Sequence, residues 1–176
     1  MRIAATLKIA EPTSASPKRV AILGIGNSLN GDDGVGVELA DRLIDLNRTH
    51  QPVHNLEINI INGGPVPENY TGALRKSPPD VVLMIDAAQM NEAPGKIGWI
   101  NVGDLSGYSA STHGMPLSLL ANFLIQEYNC QVGLIGIQPE PGAVALTIDT
   151  ALSPEVDRAA SEIVKFLSSL FWEPTS

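Results

Sequence analysis

The stretch RVAILGI, Arg19 to Ile25, is apolar after Arg19 and shows no alternation, as a strand covered on both faces requires. Beyond a glycine-rich turn, Val35, Leu39, Leu43 and Leu46 recur at helical spacing opposite Glu38, Asp41, Arg42 and Asp45, which predicts an amphipathic helix. LEINII (56–61) predicts a second strand, closed by Asn62-Gly63-Gly64. A short helix is expected around Glu68 to Lys76, then a buried strand at VVLMI (81–85) and an edge strand at IGWINV (97–102). PLSLLANFLIQEY places Leu117, Leu120, Leu124 and Tyr128 on one stripe, with Pro116 fitting the first helical position. QVGLIGI (131–137) predicts a further buried strand. Ser153-Pro154 opens a last helix whose apolar face carries Val156, Ala160, Ile163, Leu167 and Leu170.

Alternating strands and helices predict an α/β fold: a three-layer sandwich with a twisted, mostly parallel sheet of about five strands flanked by helices. In that architecture ligand chemistry gathers at the carboxyl ends of the strands. The Pro, Ser and Thr of EPTSASP mark residues 1–17 as a flexible N-terminal extension, leaving 18–176 as a single α/β domain.

Charge and composition narrow the function. A net charge of -8, with the 11 basic residues scattered, sets aside nucleic acid as a partner. No apolar run approaches the roughly 18–20 residues of a membrane span, and no secretory segment is evident. A cytoplasmic monomer without membrane insertion is therefore expected. The one cysteine, Cys130, excludes an internal disulfide and reads as a small hydrophobe at a helix end.

The turn GIGNSLNGDDGVG (24–36) lies where a nucleotide-binding protein keeps its phosphate loop. Gly24 and Gly26 match the dinucleotide fingerprint, but the third required glycine is Leu29. Asp32 and Asp33 would also repel a pyrophosphate at close range. Two uses remain for them: capping the helix that follows, or offering hard oxygen ligands to a cation. This stretch alone does not separate the two.

Other residues tilt the balance. Asp86 follows the last apolar residue of the buried strand VVLMI, at the same sheet end as the glycine-rich turn. His113, in STHGMPL, precedes the helix near Pro116, whose positive end favours the neutral imidazole that metals require. His50 and His54, in the connection before the second strand, read as surface residues. Two carboxylates and an imidazole at one rim make an incomplete O,O,N set suited to a first-row divalent ion. Such an open sphere fits contact with a metal that arrives with the substrate, or metal-assisted hydrolysis.

Taken together, GIGNSLNGDDGVG, GGPVPEN, LMIDAAQ, STHGMPLSLL and LIGIQPE resemble the [NiFe]-hydrogenase maturation endopeptidases, in order across residues 19–170. The similarity is greatest to the branch that processes large subunits of formate-hydrogenlyase-type hydrogenases. The resemblance implies an endopeptidase that cleaves the C-terminal extension from a hydrogenase large-subunit precursor once nickel is inserted. It implies that Asp33, Asp86 and His113 form the catalytic, metal-facing site, with Asp33 preferred to Asp32 by motif register. The metal would be nickel as bound in the precursor, although other divalent ions could occupy the site. Asn62, Gly63 and Gly64 would bind the substrate chain. Where the family commonly has Asp before the paired glycines this sequence has Asn62, which can hydrogen-bond but cannot act as a base. GIQPEPG reads either as a rim loop or as part of substrate docking. A non-catalytic nickel-sensing module with the same site is the competing interpretation.

Overall fold

The computed structural model describes residues 17–53, 55–107, 115–142 and 151–174. The extension expected over residues 1–17 therefore lies, Pro17 apart, outside the described residues, as do His54 and His113.

Five strands form one sheet: β1 (Lys18–Ile25), β2 (Leu56–Gly64), β3 (Val81–Ala87), β4 (Ile97–Asn101) and β5 (Gln131–Ile137). Their order is β2-β1-β3-β5-β4, parallel throughout except for the antiparallel edge strand β4. The helices are α1 (Val35–Thr49), α2 (Thr71–Leu74), α3 (Leu117–Tyr128) and α4 (Pro154–Phe171). Among the described residues none is long and apolar enough to cross a membrane.

The unbroken apolar runs of β1 and β3 follow from their central places in this order. Val20, Ile22, Val81, Leu83 and Ile85 pack in one layer with Leu39 and Leu43 of α1 and Val156, Ala160, Ile163 and Leu167 of α4. Ala21, Leu23, Ile25, Val82 and Met84 pack in the other, with Leu117, Leu120 and Leu124 of α3. Successive side chains point to opposite faces, and both faces are covered, so neither strand can alternate. β2, at the edge, is the strand whose residues alternate between half-buried and exposed.

The helix layer carrying α1 sits very close to the sheet. A Cβ at Gly36 would overlap the carbonyl oxygens of Ile25 and Ile85, and one at Gly24 would overlap the Gly36 carbonyl. These two glycines let backbone lie on backbone.

Gly31–Gly34 forms a 3-10 turn of its own, and the α-helix begins at Val35, the first residue of the apolar stripe. Two local readings need correcting. The short helix expected at 68–76 is a 3-10 turn, Pro67–Tyr70, followed by the single turn α2; Ser77-Pro78-Pro79 cannot prolong it. Pro116 is the N-cap of α3 rather than its first helical residue, with an extended ψ of 132°.

Candidate functional site

The carboxyl ends of β2, β1 and β3 lie side by side. Gly24 pairs with Asn62 on one side and with Ile85 on the other, and Ile25 pairs with Gly64. From this edge the chain leaves β1 at Gly26, where φ 140° and the overlap a Cβ would make with the Asp33 carbonyl both require glycine. The Gly26 amide donates to the Gly64 carbonyl at 3.1 Å, and the Asn27 amide to the Asp33 carbonyl at 3.1 Å. The glycines thus fold the turn back onto its own backbone, and Asp33 is held at the sheet edge.

Asp32 and Asp33 are both buried, at 0% and 1% exposure, yet their surroundings differ. Neither caps the helix that follows them, since no side-chain cap is made at Asn30 or Gly34. Asp32 instead reaches the far end of the chain. Its Oδ1 accepts the Ser153 amide at 2.7 Å, and its Oδ2 accepts the Ser153 hydroxyl and the Glu140 amide, each at 2.9 Å. Ser153 is the N-cap of α4, so Asp32 ties the turn to α4 and to the loop after β5.

Asp33 and Asp86 are the opposite case. Asp86 lies near the end of β3 at 0% exposure, and among the described residues none of the four carboxylate oxygens of the two residues has a hydrogen-bond partner. Burial pushes the Asp86 carboxyl well above the usual carboxylate range, and the charge of Asp33 pushes it the same way. The adjacent Ala87 amide opposes this as the smallest contribution. Buried polar groups are almost always paired, so a carboxyl left unpaired beside a second negative charge favours a proton or a cation next to it.

The remaining expected site residues are placed as follows. Asn62 stands at the same edge and donates from Nδ2 to Asp41 of α1 at 2.9 Å. Gly63 lies against Leu23 and Pro67, while Gly64 adopts φ 56° beside open space. His113, the third member of the expected metal-facing set, lies outside the described residues. Among the described residues no group of three His, Cys, Asp or Glu side chains could hold a metal ion. His50 closes α1, its Nδ1 within 2.8 Å of the Thr49 hydroxyl and 3.2 Å of the Leu46 carbonyl. Cys130 is buried just after α3, and burial pushes its thiol up, which keeps it protonated and inert.

Two rim residues carry roles that sequence reasoning did not reach. One is Asp32, as a tie between distant segments. The other is Gln138, nearly buried after β5, whose Oε1 accepts the Met90 amide at 2.7 Å and whose Nε2 donates to Gln89 at 2.8 Å and to the Pro139 carbonyl at 3.1 Å. It clamps the loop after β3 onto the loop after β5. Glutamine is ordinarily exposed, and nothing in its neighbours signals this clamp.

A mostly parallel sheet with two buried carboxylates, unpartnered among the described residues, at its carboxyl edge defines an α/β domain of the class that binds ligands at that edge. Comparison with known proteins gives the class its particular form. The family profile described as hydrogenase maturation protease matches residues 43–169, a span that includes Asp86 and His113 and begins beyond Asp33. A candidate hydrogenase maturation protease of Methanocaldococcus jannaschii is 32% identical over 158 residues, covering 89% of this chain and 90% of its own. The hydrogenase 3 maturation protease of Escherichia coli K12 is 36% identical over 120 residues, 68% of this chain and 72% of its own. The crystal structure of a [NiFe] hydrogenase maturation protease from Thermococcus kodakarensis KOD1 superposes with a TM-score of 0.73 at 28% identity, covering 89% of this chain and 94% of that one. The chain belongs to the hydrogenase maturation protease family, and it is accordingly a peptidase.

Proposed function

We propose that this peptidase removes the C-terminal extension of a [NiFe]-hydrogenase large-subunit precursor after nickel has been inserted. The observation that carries the reading is the pair Asp33 and Asp86, buried, unpartnered and mutually repelling at the edge where an α/β enzyme binds its substrate. In this reading the nickel belongs to the precursor, and Asp33, Asp86 and His113 face it when precursor and protease meet. Hard oxygen donors with an imidazole suit such an ion without completing its coordination. The positive charge relieves the repulsion between the carboxylates and sets the scissile bond beside them.

Hydrolysis consumes one water: its oxygen bonds to the scissile carbonyl carbon, and its protons end on the new carboxyl side and the leaving amine. Asn62, Gly63 and Gly64 flank the site and offer an extended peptide a surface of backbone and amide groups. The reading has the protein work as a monomer in the cytoplasm.

The test is mass spectrometry of a purified large-subunit precursor, nickel-loaded or nickel-free, before and after the protein is added. Loss of the C-terminal extension from the nickel-loaded form alone is the expected result. An unchanged mass of the loaded precursor, or its stable capture without cleavage, would overturn the proposal.

A further inference from the structure

Among the described residues, the buried side-chain oxygens and nitrogens without hydrogen-bond partners belong to only three side chains: Asp33, Asp86 and Glu68. All are carboxylates. Asp33 and Glu68 follow the carboxyl ends of β1 and β2, and Asp86 lies within the carboxyl end of β3, three strands that are neighbours in the sheet. Two of the three form the site described above. The third lies in the GGPVPEN segment, whose glutamate has so far been given no task.

Glu68 is held firmly in place. It sits in the Pro67–Tyr70 turn, separated from Gly64 by Pro65 and Val66, and its carbonyl accepts the Thr71 hydroxyl at 2.8 Å. The turn is anchored behind by the buried Leu74. In front, Pro67 and the Leu23 side chain both stand next to the position a Gly63 Cβ would take. Leu23 belongs to the layer that also contains Met84 and Ala88, the alternate neighbours of Asp86 along its strand. Pro67 therefore stands at the same edge and on the same face of the sheet as Asp86, with β1 between them, and Glu68 follows it in the turn at that edge. One of its oxygens, Oε2, is buried without a partner although the residue as a whole is only half-buried. A carboxylate that can reach solvent yet keeps an oxygen desolvated and unpaired is prepared for a donor that comes from elsewhere.

We infer that Glu68 is a positioning residue of this peptidase, whose carboxylate accepts a hydrogen bond from the precursor chain beside the scissile bond. The inference rests on the precursor-processing reading above. Glu68 acts by fixing the peptide, while Asp33 and Asp86 stand at the reacting bond. A group used in this way contributes to binding before and during reaction alike, so its loss raises KM and leaves kcat nearly unchanged.

The experiment is steady-state cleavage of nickel-loaded precursor by wild type, Glu68→Ala and Glu68→Gln, with the fold of each variant checked by circular dichroism. Glu68→Ala should raise KM about tenfold with kcat within about twofold, as loss of one charge-assisted hydrogen bond predicts. Glu68→Gln keeps an acceptor oxygen in the same place and should recover part of that loss. A KM within about twofold of wild type for both folded variants overturns the inference, as does a fall in kcat without a change in KM. Should Glu68→Ala fail to fold, the isosteric glutamine variant decides alone, a KM above that twofold limit supporting the inference. Wild type serves as the control: its failure to cleave would bring down the function itself, whereas cleavage unaffected by either substitution brings down only the role of Glu68.

Discussion

Asp32 commits both carboxylate oxygens to Ser153 and Glu140, whereas Asp33, the next residue, commits neither. The two substitutions should accordingly separate stability from activity. Asp32→Ala removes three hydrogen bonds to a buried charge and strands two backbone amides, which should cost about 2–4 kcal/mol and lower Tm by about 5–15 °C. Asp33→Asn should leave Tm at or above the wild-type value and abolish precursor cleavage; normal cleavage by this variant would remove Asp33 from the site. Asp86→Asn joins it on the activity side with a pH signature of its own. Because the folded-state pKa of Asp86 is raised, its neutral form stabilises the fold fully below the ordinary carboxylate range. That contribution is lost as pH rises through the raised value. In chelator-treated protein, Asp86→Asn should thus be more stable than wild type at neutral pH by roughly 1–3 kcal/mol, about 3–10 °C in Tm. The gap should close on acidification, and thermal melts at several pH values will show whether it does.

At the scale of elements, the close seat of α1 on the sheet depends on the absence of two side chains. Gly36→Ala would drive a methyl group into the Ile25 and Ile85 carbonyls, and backbone cannot step aside as a side-chain tip can. We expect a loss of at least about 3 kcal/mol or no soluble protein. Gly64→Ala meets open space and carries only the strain of φ 56°, so about 1 kcal/mol is expected. Denaturant titration of both variants measures the contrast, and similar losses would refute it. Elements of this kind were largely legible. β1, β3 and β5 announce themselves because strands covered on both faces must be apolar throughout, and α1 and α4 because each buries a single stripe. What escaped were the 3-10 turns at Gly31–Gly34 and Pro67–Tyr70, where a few residues leave too short a pattern to distinguish one helical period from another.

For the molecule as a whole, the sheet order makes neighbours of Gly24, Asn62 and Ile85, and so brings Asp33 and Asp86 to one edge. That edge could be anticipated from alternating strands and helices, but the division of labour between Asp32 and Asp33 could not. It is decided by partners 108 and 121 residues away, whose approach no local pattern encodes. The same edge makes a prediction about substrate choice. If Asp33 and Asp86 form the proposed site, the repulsion between them should make the protease prefer a partner that carries positive charge into it. A precursor stripped of nickel lacks that charge while presenting the same polypeptide, so the difference in binding isolates the contribution of the metal. Calorimetry should show the nickel-free precursor binding at least about tenfold more weakly, a coupling of about 1.4 kcal/mol. Restoring nickel should recover both affinity and cleavage. In Asp33→Asn, where the repulsion is already relieved, the preference should shrink, and equal preference in wild type and variant would show that the carboxylate pair is not what senses the metal.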